Sequence, residues 1–412
     1  MSKSIARVFF GAAAVVPAVL CTAGVSAVAA PEDDKSWDKS NIAMNLGADK
    51  SGSYMDAAGS TFNGSGQIVF DIDGAFTGGN PLMKDANGKS KVAGEYCFGF
   101  GADPNGWSSL CETTNVINTP YLYKGPSLFS SLPQSSAPSS RCVDSSGVLC
   151  HAVHGTATAG AVVGQPSVRY EHDSNGDSIP VSSAGAAVGA KVVQVKVGGG
   201  TTTGKNDDMG WQGDSVANAL NWIDKIESEQ MYRGRVAAVT LSVDGLPIGV
   251  DGKCSSIGEA IDSAAARLKS KGIAVVMAGG NQGVNSVGAW NCGKNVITVG
   301  ATKTLEPHVR ASYSNHDVST RLYAPVGEGD YSKLDGVLVP YKSKGTGYMM
   351  GTSFAAPQVA GAFAVLREKF AYDPTVDELV ELLAKTGTPV IGPDSPASAR
   401  DINVRAALNA TP

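Results

Sequence analysis

Five runs rich in β-branched residues, separated by helix-like segments, restrict the possible folds of this chain more than any other feature. They are QIVFDI at 67–72, KVVQVKV at 191–197, VAAVTLS at 236–242, IAVVMA at 273–278 and NVITVG at 295–300. Three are continuous or nearly continuous, as expected for strands covered on both faces. Their alternation with helices predicts an α/β layer fold with a mainly parallel central sheet. The helices carry their own signals. GDSVANALNWIDKIESEQ begins behind Asp214 or Ser215 as cap and carries Val216, Leu220 and Ile223 on one stripe. IGEAIDSAAARLKSKG ends at Gly272, a left-handed stop, and Thr375 with Glu378 forms a capping box for VDELVELLAKTG.

The ends and the middle of the chain read differently. Lys3 and Arg7 precede the apolar VFFGAAAVVPAVL, and AVA at 27–29 offers a small-residue cleavage site, so residues 1–29 are expected to be a signal peptide. Gly11 and Pro17 interrupt the apolar run, which argues against a retained membrane anchor and for an exported protein. Residues 30–65 form an N-terminal segment, and 66–412 the main domain. Within it, 78–150 is rich in Gly, Ser, Pro and Asn and reads as a long insertion. Six cysteines remain after the leader, an even number that favours disulfides in an exported chain. Local loop closure suggests Cys97–Cys111 and Cys142–Cys150, leaving Cys254 for Cys292. The formal charge of -5 opposes a nucleic-acid or anionic-membrane partner.

The segment MMGTSFAAPQVAG, 349–361, places Ser353 directly before a run of small apolar residues. A serine at a helix start lies beside unpaired N–H groups that stabilise developing negative charge, which suits a nucleophile. Pro357 has no N–H to return to the carbonyl of residue 353, so the first turn is loosened there. Taken alone, Ser353 is equally a capping serine on a core helix. Three other polar residues stand at the edges of buried elements: Asp73 at the end of a strand, His154 before a second small-residue helix, and Asn281 beyond another strand end.

Together HGTATAG, AGGNQG and GTSFAAPQVAG resemble the subtilisin-like serine peptidases, with NVITVGAT, RASYSN and INVRAAL in the expected order. The resemblance implies a three-layer fold with helices flanking the sheet, and a serine endopeptidase acting on protein or peptide substrates. It assigns Ser353 as nucleophile, His154 as general base and acid, Asp73 as the carboxylate that orients the imidazole, and Asn281 as an oxyanion donor. It also implies that Ser242, Val243, Asp244 and Gly245, with Gly279 and Gly280, line the substrate edge. Asp244 reads either as a solvated surface carboxylate or as a group that tilts the pocket towards basic or polar residues.

Several positions depart from the pattern. Gly74 follows the aspartate at once where the family has its glycine one place later, so Asp71, on the same side of the strand, competes with Asp73 for the triad. Asn80-Pro81, where the family often has His-Pro, favours Asp73. Ala157 replaces a second family histidine, His151 is expected to be structural, and Phe354 to pack. An inactive peptide-binding protein of the same fold is the alternative function; an esterase is disfavoured because Ser353 lacks a Gly-x-Ser-x-Gly elbow. GGTTTGKN lacks the Ser or Thr of a phosphate loop. No cofactor, catalytic metal or oligomeric partner is expected, although Asp173, Asn175 and Asp177 offer oxygens for a structural calcium ion. About forty residues separate the cleavage site from Asp73, too few for a separately folded propeptide, so folding without a large cleaved prodomain is expected.

Overall fold

The β-branched runs pair edge to edge. The computed structural model describes residues 40–412 apart from 75, 77–78, 99–106, 109–119, 123–151, 173–175, 202–209, 212, 244–253, 331–333 and 342–343. The leader, Cys111, Cys142, Cys150, His151, Asp173, Asn175, Asp244 and Gly245 therefore lie outside the described residues.

Ten strands make the central sheet: β1 (Ile68–Asp73), β2 (Val92–Phe98), β3 (Pro120–Leu122), β4 (Lys191–Lys196), β5 (Val236–Leu241), β6 (Ala274–Ala278), β7 (Val296–Thr302), β8 (Leu322–Pro325), β9 (Thr388–Pro389) and β10 (Arg400–Asp401). They lie in the order β9-β10-β8-β7-β6-β5-β1-β4-β2-β3. All neighbours are parallel except the two edge pairs, β9 with β10 and β2 with β3. All five runs read from the sequence occupy the interior of the sheet. Strand β2 does not fit the reading of 78–150 as an insertion, because Val92–Phe98 is a sheet strand paired with β4. Gly94 and Glu95 interrupt its apolar pattern, and that hid it.

Five longer helices cover the two faces: α1 (Ala152–Val163), α2 (Gly213–Ile226), α3 (Ser256–Ser270), α4 (Ala356–Phe370) and α5 (Val376–Thr386). Period-2 alternation along β1 divides the core. Ile68, Phe70 and Ile72 point to a layer shared with Val216, Leu220 and Ile223 of α2 and with Ile261 and Leu268 of α3. Val69 points the other way, to α1 and α4. Asp71 and Asp73 share its parity and so face the same two helices. The caps agree with the sequence: Thr375 and Glu378 make the reciprocal capping box, and Gly272 ends α3 at a φ of 79°. Helix α2 starts two to three residues earlier than expected, at Gly213, with Asp214 in its first turn.

Residues 40–65 are woven into this layer. Ile42, Leu46 and Tyr54 are fully buried in the core of α1 and α4, and the Tyr54 hydroxyl donates to Ala186 O at 2.9 Å. Leu46 O accepts from Val404 N at 3.0 Å, joining the two ends of the described chain. Among the described residues no helix is long and apolar enough to cross a membrane.

Cys254 and Cys292, the pair left over by the sequence reading, are bridged across a sequence separation of 38, with Cα atoms 5.5 Å apart. Cys97 is also disulfide-bonded. Closing a loop of that length removes about 4 kcal/mol of unfolded-state entropy at room temperature. Replacing both Cys254 and Cys292 by Ser is expected to lower the unfolding free energy by an amount approaching that figure, read by chemical denaturation of a Ser353→Ala background to prevent self-digestion.

Two buried lysines make stability depend on pH. The Lys91 ammonium donates to Val163 O at 2.7 Å and also to Val188 O, and that of Lys196 to Gly198 O at 2.6 Å. Burial pulls both down to about 7. Between that value and the unfolded pKa near about 10.4, the unfolded chain holds protons that the folded chain has released, so unfolding becomes harder as pH rises. Above about 10 the sign reverses, because burial raises Tyr54, Tyr232 and Tyr323 above their unfolded value. Denaturation midpoints measured at neutral pH and in steps up to strong alkali should rise and then fall; a flat or falling profile from neutrality upward would contradict the burial of these lysines.

Candidate active site

Asp73 is the last residue of β1, and His154 lies in the first turn of α1. The imidazole Nδ1 is 2.8 Å from Asp73 Oδ1 and 3.0 Å from Oδ2. Gly74 N donates to the same Oδ1 at 2.5 Å. A carboxylate can only accept here, so Nδ1 carries the hydrogen and Nε2 is the basic nitrogen. The pair is buried, Asp73 completely and His154 to 8 % exposure, so the contact is made where charge is weakly screened.

Ser353 sits in a single 3-10 turn, Thr352–Phe354, that leads into α4. Gly351 sets that turn with a φ of 112°, a region that L side chains avoid. The Phe354 ring packs edge-on against the His154 ring with centroids 5.6 Å apart, so the residue next to Ser353 touches the imidazole. Ser353 is 4 % exposed, and its hydroxyl donates to Ser242 O over 3.3 Å, a long bond.

The proline explains a second contact. Pro357 removes the helical donor for the Ser353 carbonyl, and the Ser242 hydroxyl supplies a replacement at 2.7 Å. Ser242 thus faces Ser353 across two reciprocal bonds, with its hydroxyl committed there. Val243 beside it is buried.

Asn281 follows β6 on the loop that faces this turn. Its Oδ1 accepts from Thr352 N at 2.8 Å and from Thr352 Oγ1 at 3.0 Å. Only the amide oxygen can accept from a backbone N–H, which fixes the side-chain orientation and directs Nδ2 as the donor. Thr352 Oγ1 also accepts from Gly280 N at 3.0 Å, and Gly279 N donates to Val299 O at 3.0 Å. The N–H groups of both glycines are therefore used within the protein.

Asp71 does not contact the imidazole. It lies one rung deeper, fully buried, with Thr158 Oγ1 at 3.0 Å and Gln194 Nε2 at 3.2 Å from its Oδ2. Burial, and then the Asp73 charge, push its carboxyl well above the usual carboxylate range. Sequence reading missed Thr158 and Gln194; their signal was a polar residue within an otherwise apolar helix face and within an otherwise apolar strand. Asn80 acts as a turn cap, its Oδ1 accepting from Leu82 N at 3.0 Å and its amide donating to Gly345 O at 2.9 Å. Among the described residues no group of three or more His, Cys, Asp or Glu is placed to hold a metal ion.

A sequence model of the subtilase family matches residues 141–401. The chain belongs to the subtilase family. The matched span includes His154, Asn281 and Ser353, while Asp73 lies before it and is joined to His154 by their 2.8 Å contact. Subtilisin Savinase of Lederbergia lenta is 29% identical over 224 residues, 51% of this chain and 69% of that protein. Subtilisin-like protease 9 of Arthroderma otae is 29% identical over 247 residues, 59% of this chain and 49% of that protein. The chain spans about half the length of most of the curated relatives it matches. Among solved structures, a protease from Pseudoalteromonas arctica superposes with a TM-score of 0.58 at 22% identity, covering 92% of this chain and 98% of that one. A cold adapted subtilisin-like serine proteinase gives 0.51 at 16% identity, covering 87% and 96%. These structures support the fold expected for the subtilase.

Ser242→Ala leaves the Ser353 carbonyl buried without its donor, at a cost of about 1–3 kcal/mol. Denaturation of this variant in the Ser353→Ala background should register that loss, whereas Ser242→Thr should restore most of it; an unshifted midpoint would mean that another donor takes over.

Proposed function

We propose that this subtilase is an exported serine endopeptidase whose centre is Asp73, His154, Ser353 and Asn281. The observation that carries the reading is the buried contact between the Asp73 carboxylate and His154 Nδ1, 2.8 Å long, beside a serine at the mouth of a buried helix. The predicted leader and the Cys254–Cys292 bridge both favour an oxidising compartment.

In this reading Ser353 Oγ attacks the scissile carbonyl carbon while its proton passes to His154 Nε2. Asp73 keeps the hydrogen on Nδ1 and stabilises the imidazolium. The carbonyl oxygen becomes an anion that accepts from Asn281 Nδ2 and from the Ser353 N–H. Collapse expels the amine, which takes the proton from Nε2 and leaves an acyl group on Ser353. Water, deprotonated by the same nitrogen, releases the acid and restores the serine.

A fluorophosphonate probe should label the wild type and leave Ser353→Ala unlabelled, with peptide hydrolysis lost in parallel. Asn281→Ala should lower kcat by roughly 100- to 1000-fold with little change in KM, the size known for loss of such a donor in a subtilisin. A folded wild type that neither reacts with the probe nor cleaves a peptide library would defeat the proposal.

A further inference from the structure

Two carboxylates share the pocket behind the imidazole, and only one of them touches it. Thr158 Oγ1 lies between them, 3.0 Å from Asp71 Oδ2 and 3.3 Å from Asp73 Oδ2, with Gly155 O at 3.2 Å. A hydroxyl has one hydrogen to give. Were Asp71 an anion, that hydrogen would go to the nearer oxygen, Asp73 would lose it, and two negative charges would share one dry site. Among the described residues the donors that reach Asp71, Thr158 and Gln194, both reach Oδ2, and its buried Oδ1 has no hydrogen-bond partner. An anion left in that state is costly, whereas a neutral acid donates from Oδ2 to Thr158 and frees the threonine hydrogen for Asp73.

Resting on the peptidase reading above, we propose that Asp71 is a positioning residue of the centre: a neutral carboxylic acid that, through the Thr158 hydroxyl, holds the Asp73 carboxylate against His154. The chain of donors runs Asp71 O–H to Thr158 Oγ1, Thr158 O–H to Asp73 Oδ2, and His154 Nδ1–H to Asp73. No proton changes owner along it.

The surrounding groups are consistent with a neutral acid. Asp73 on the same strand adds negative charge, and burial raises Asp71 further. On β4, Gln194 is level with Asp71, and Lys196 is level with Asp73 but donates to Gly198 O. On β5, Thr240 is level with Asp71 and carries no charge. From α1 come His154 and Thr158. The charged residues of α4, Arg367, Glu368 and Lys369, bond to Gly272 O, Gly64 N and Asp56, away from this pocket.

Three measurements on the secreted full chain test this. Difference infrared spectra of wild type against Asp71→Asn at neutral pH should contain the carbonyl stretch of a protonated carboxyl; its absence overturns the proposal. Thr158→Val should lower kcat roughly 10-fold, the worth of one hydrogen bond to a charged group, with KM nearly unchanged. It should also move the acid limb of kcat/KM to higher pH, because an Asp73 short of one donor favours the imidazolium more strongly. Thr158→Ser should restore both. Asp71→Asn should lower kcat by roughly 3-fold, since its amide can still donate to Thr158; a loss as complete as that of Asp73→Asn would make Asp71 the ionised partner and overturn the assignment. A wild type that reacts with the fluorophosphonate, combined with a folded Thr158→Val of normal kcat and pH profile, sinks only this proposal. A wild type that is unreactive sinks the peptidase reading, and the positioning role falls with it.

Discussion

The candidate centre depends on two helices that approach their neighbours through small residues. Helix α4 presents Ala356, Ala360, Gly361, Ala362 and Ala364, and α1 presents Thr156, Ala157, Thr158, Ala159, Gly160 and Ala161. A Cβ on Gly361 would stand 2.6 Å from the Ala186 Cβ, and one on Gly160 would stand 2.3 Å from Pro340 Cδ. The helices are thus at backbone contact with their neighbours, and added methylenes would force them outward at a cost of roughly 1–3 kcal/mol each.

Close approach leaves little room for water, so each polar group must find its partner within the protein. The Ser353 carbonyl illustrates how. Proline loosens the first turn by deleting a donor, and a hydroxyl from the end of β5 fills the gap at 2.7 Å. Asn281 is held in the same way, its oxygen occupied by Thr352 so that its nitrogen has one direction left to point. The geometry of the centre is therefore set by hydrogen bonds to groups that take no part in bond making.

How far the sequence could be read follows from this division. Apolar repeats marked five of the interior strands within one or two residues, because β-branched runs between helices have few other places to go. Ser353, His154, Asn281 and Asp73 were legible as polar residues at element ends. Strand β2 was not, since Gly94 and the buried Glu95 break its pattern and its partner β4 lies almost a hundred residues away. The weaving of Ile42, Leu46 and Tyr54 into the core was likewise invisible, because long-range contacts leave no periodic trace in a short polar segment. Thr158 and Gln194 were read as members of apolar stretches, and only coordinates reveal that each faces a carboxylate.

Which of the two aspartates meets the imidazole follows from matching repeats. Residues two apart on a strand are separated by roughly 6.6 Å, and residues four apart on a helix by about 6 Å along its axis. Asp71 and Asp73 on β1 therefore oppose Thr158 and His154 on α1 as two nearly level pairs, and the observed contacts are those pairs: Asp73 with His154 and Asp71 with Thr158. Exchanging the roles of the carboxylates would require α1 to slide by about one turn along the strand. Gly160 against Pro340, with Ala186 N bonded to Ala161 O at 2.9 Å and Ala187 N to Val162 O at 2.7 Å, holds the helix in its present register. The outer carboxylate meets the imidazole because the helix begins there, and the inner one, one rung further into the sheet, is left with a hydroxyl as its nearest partner.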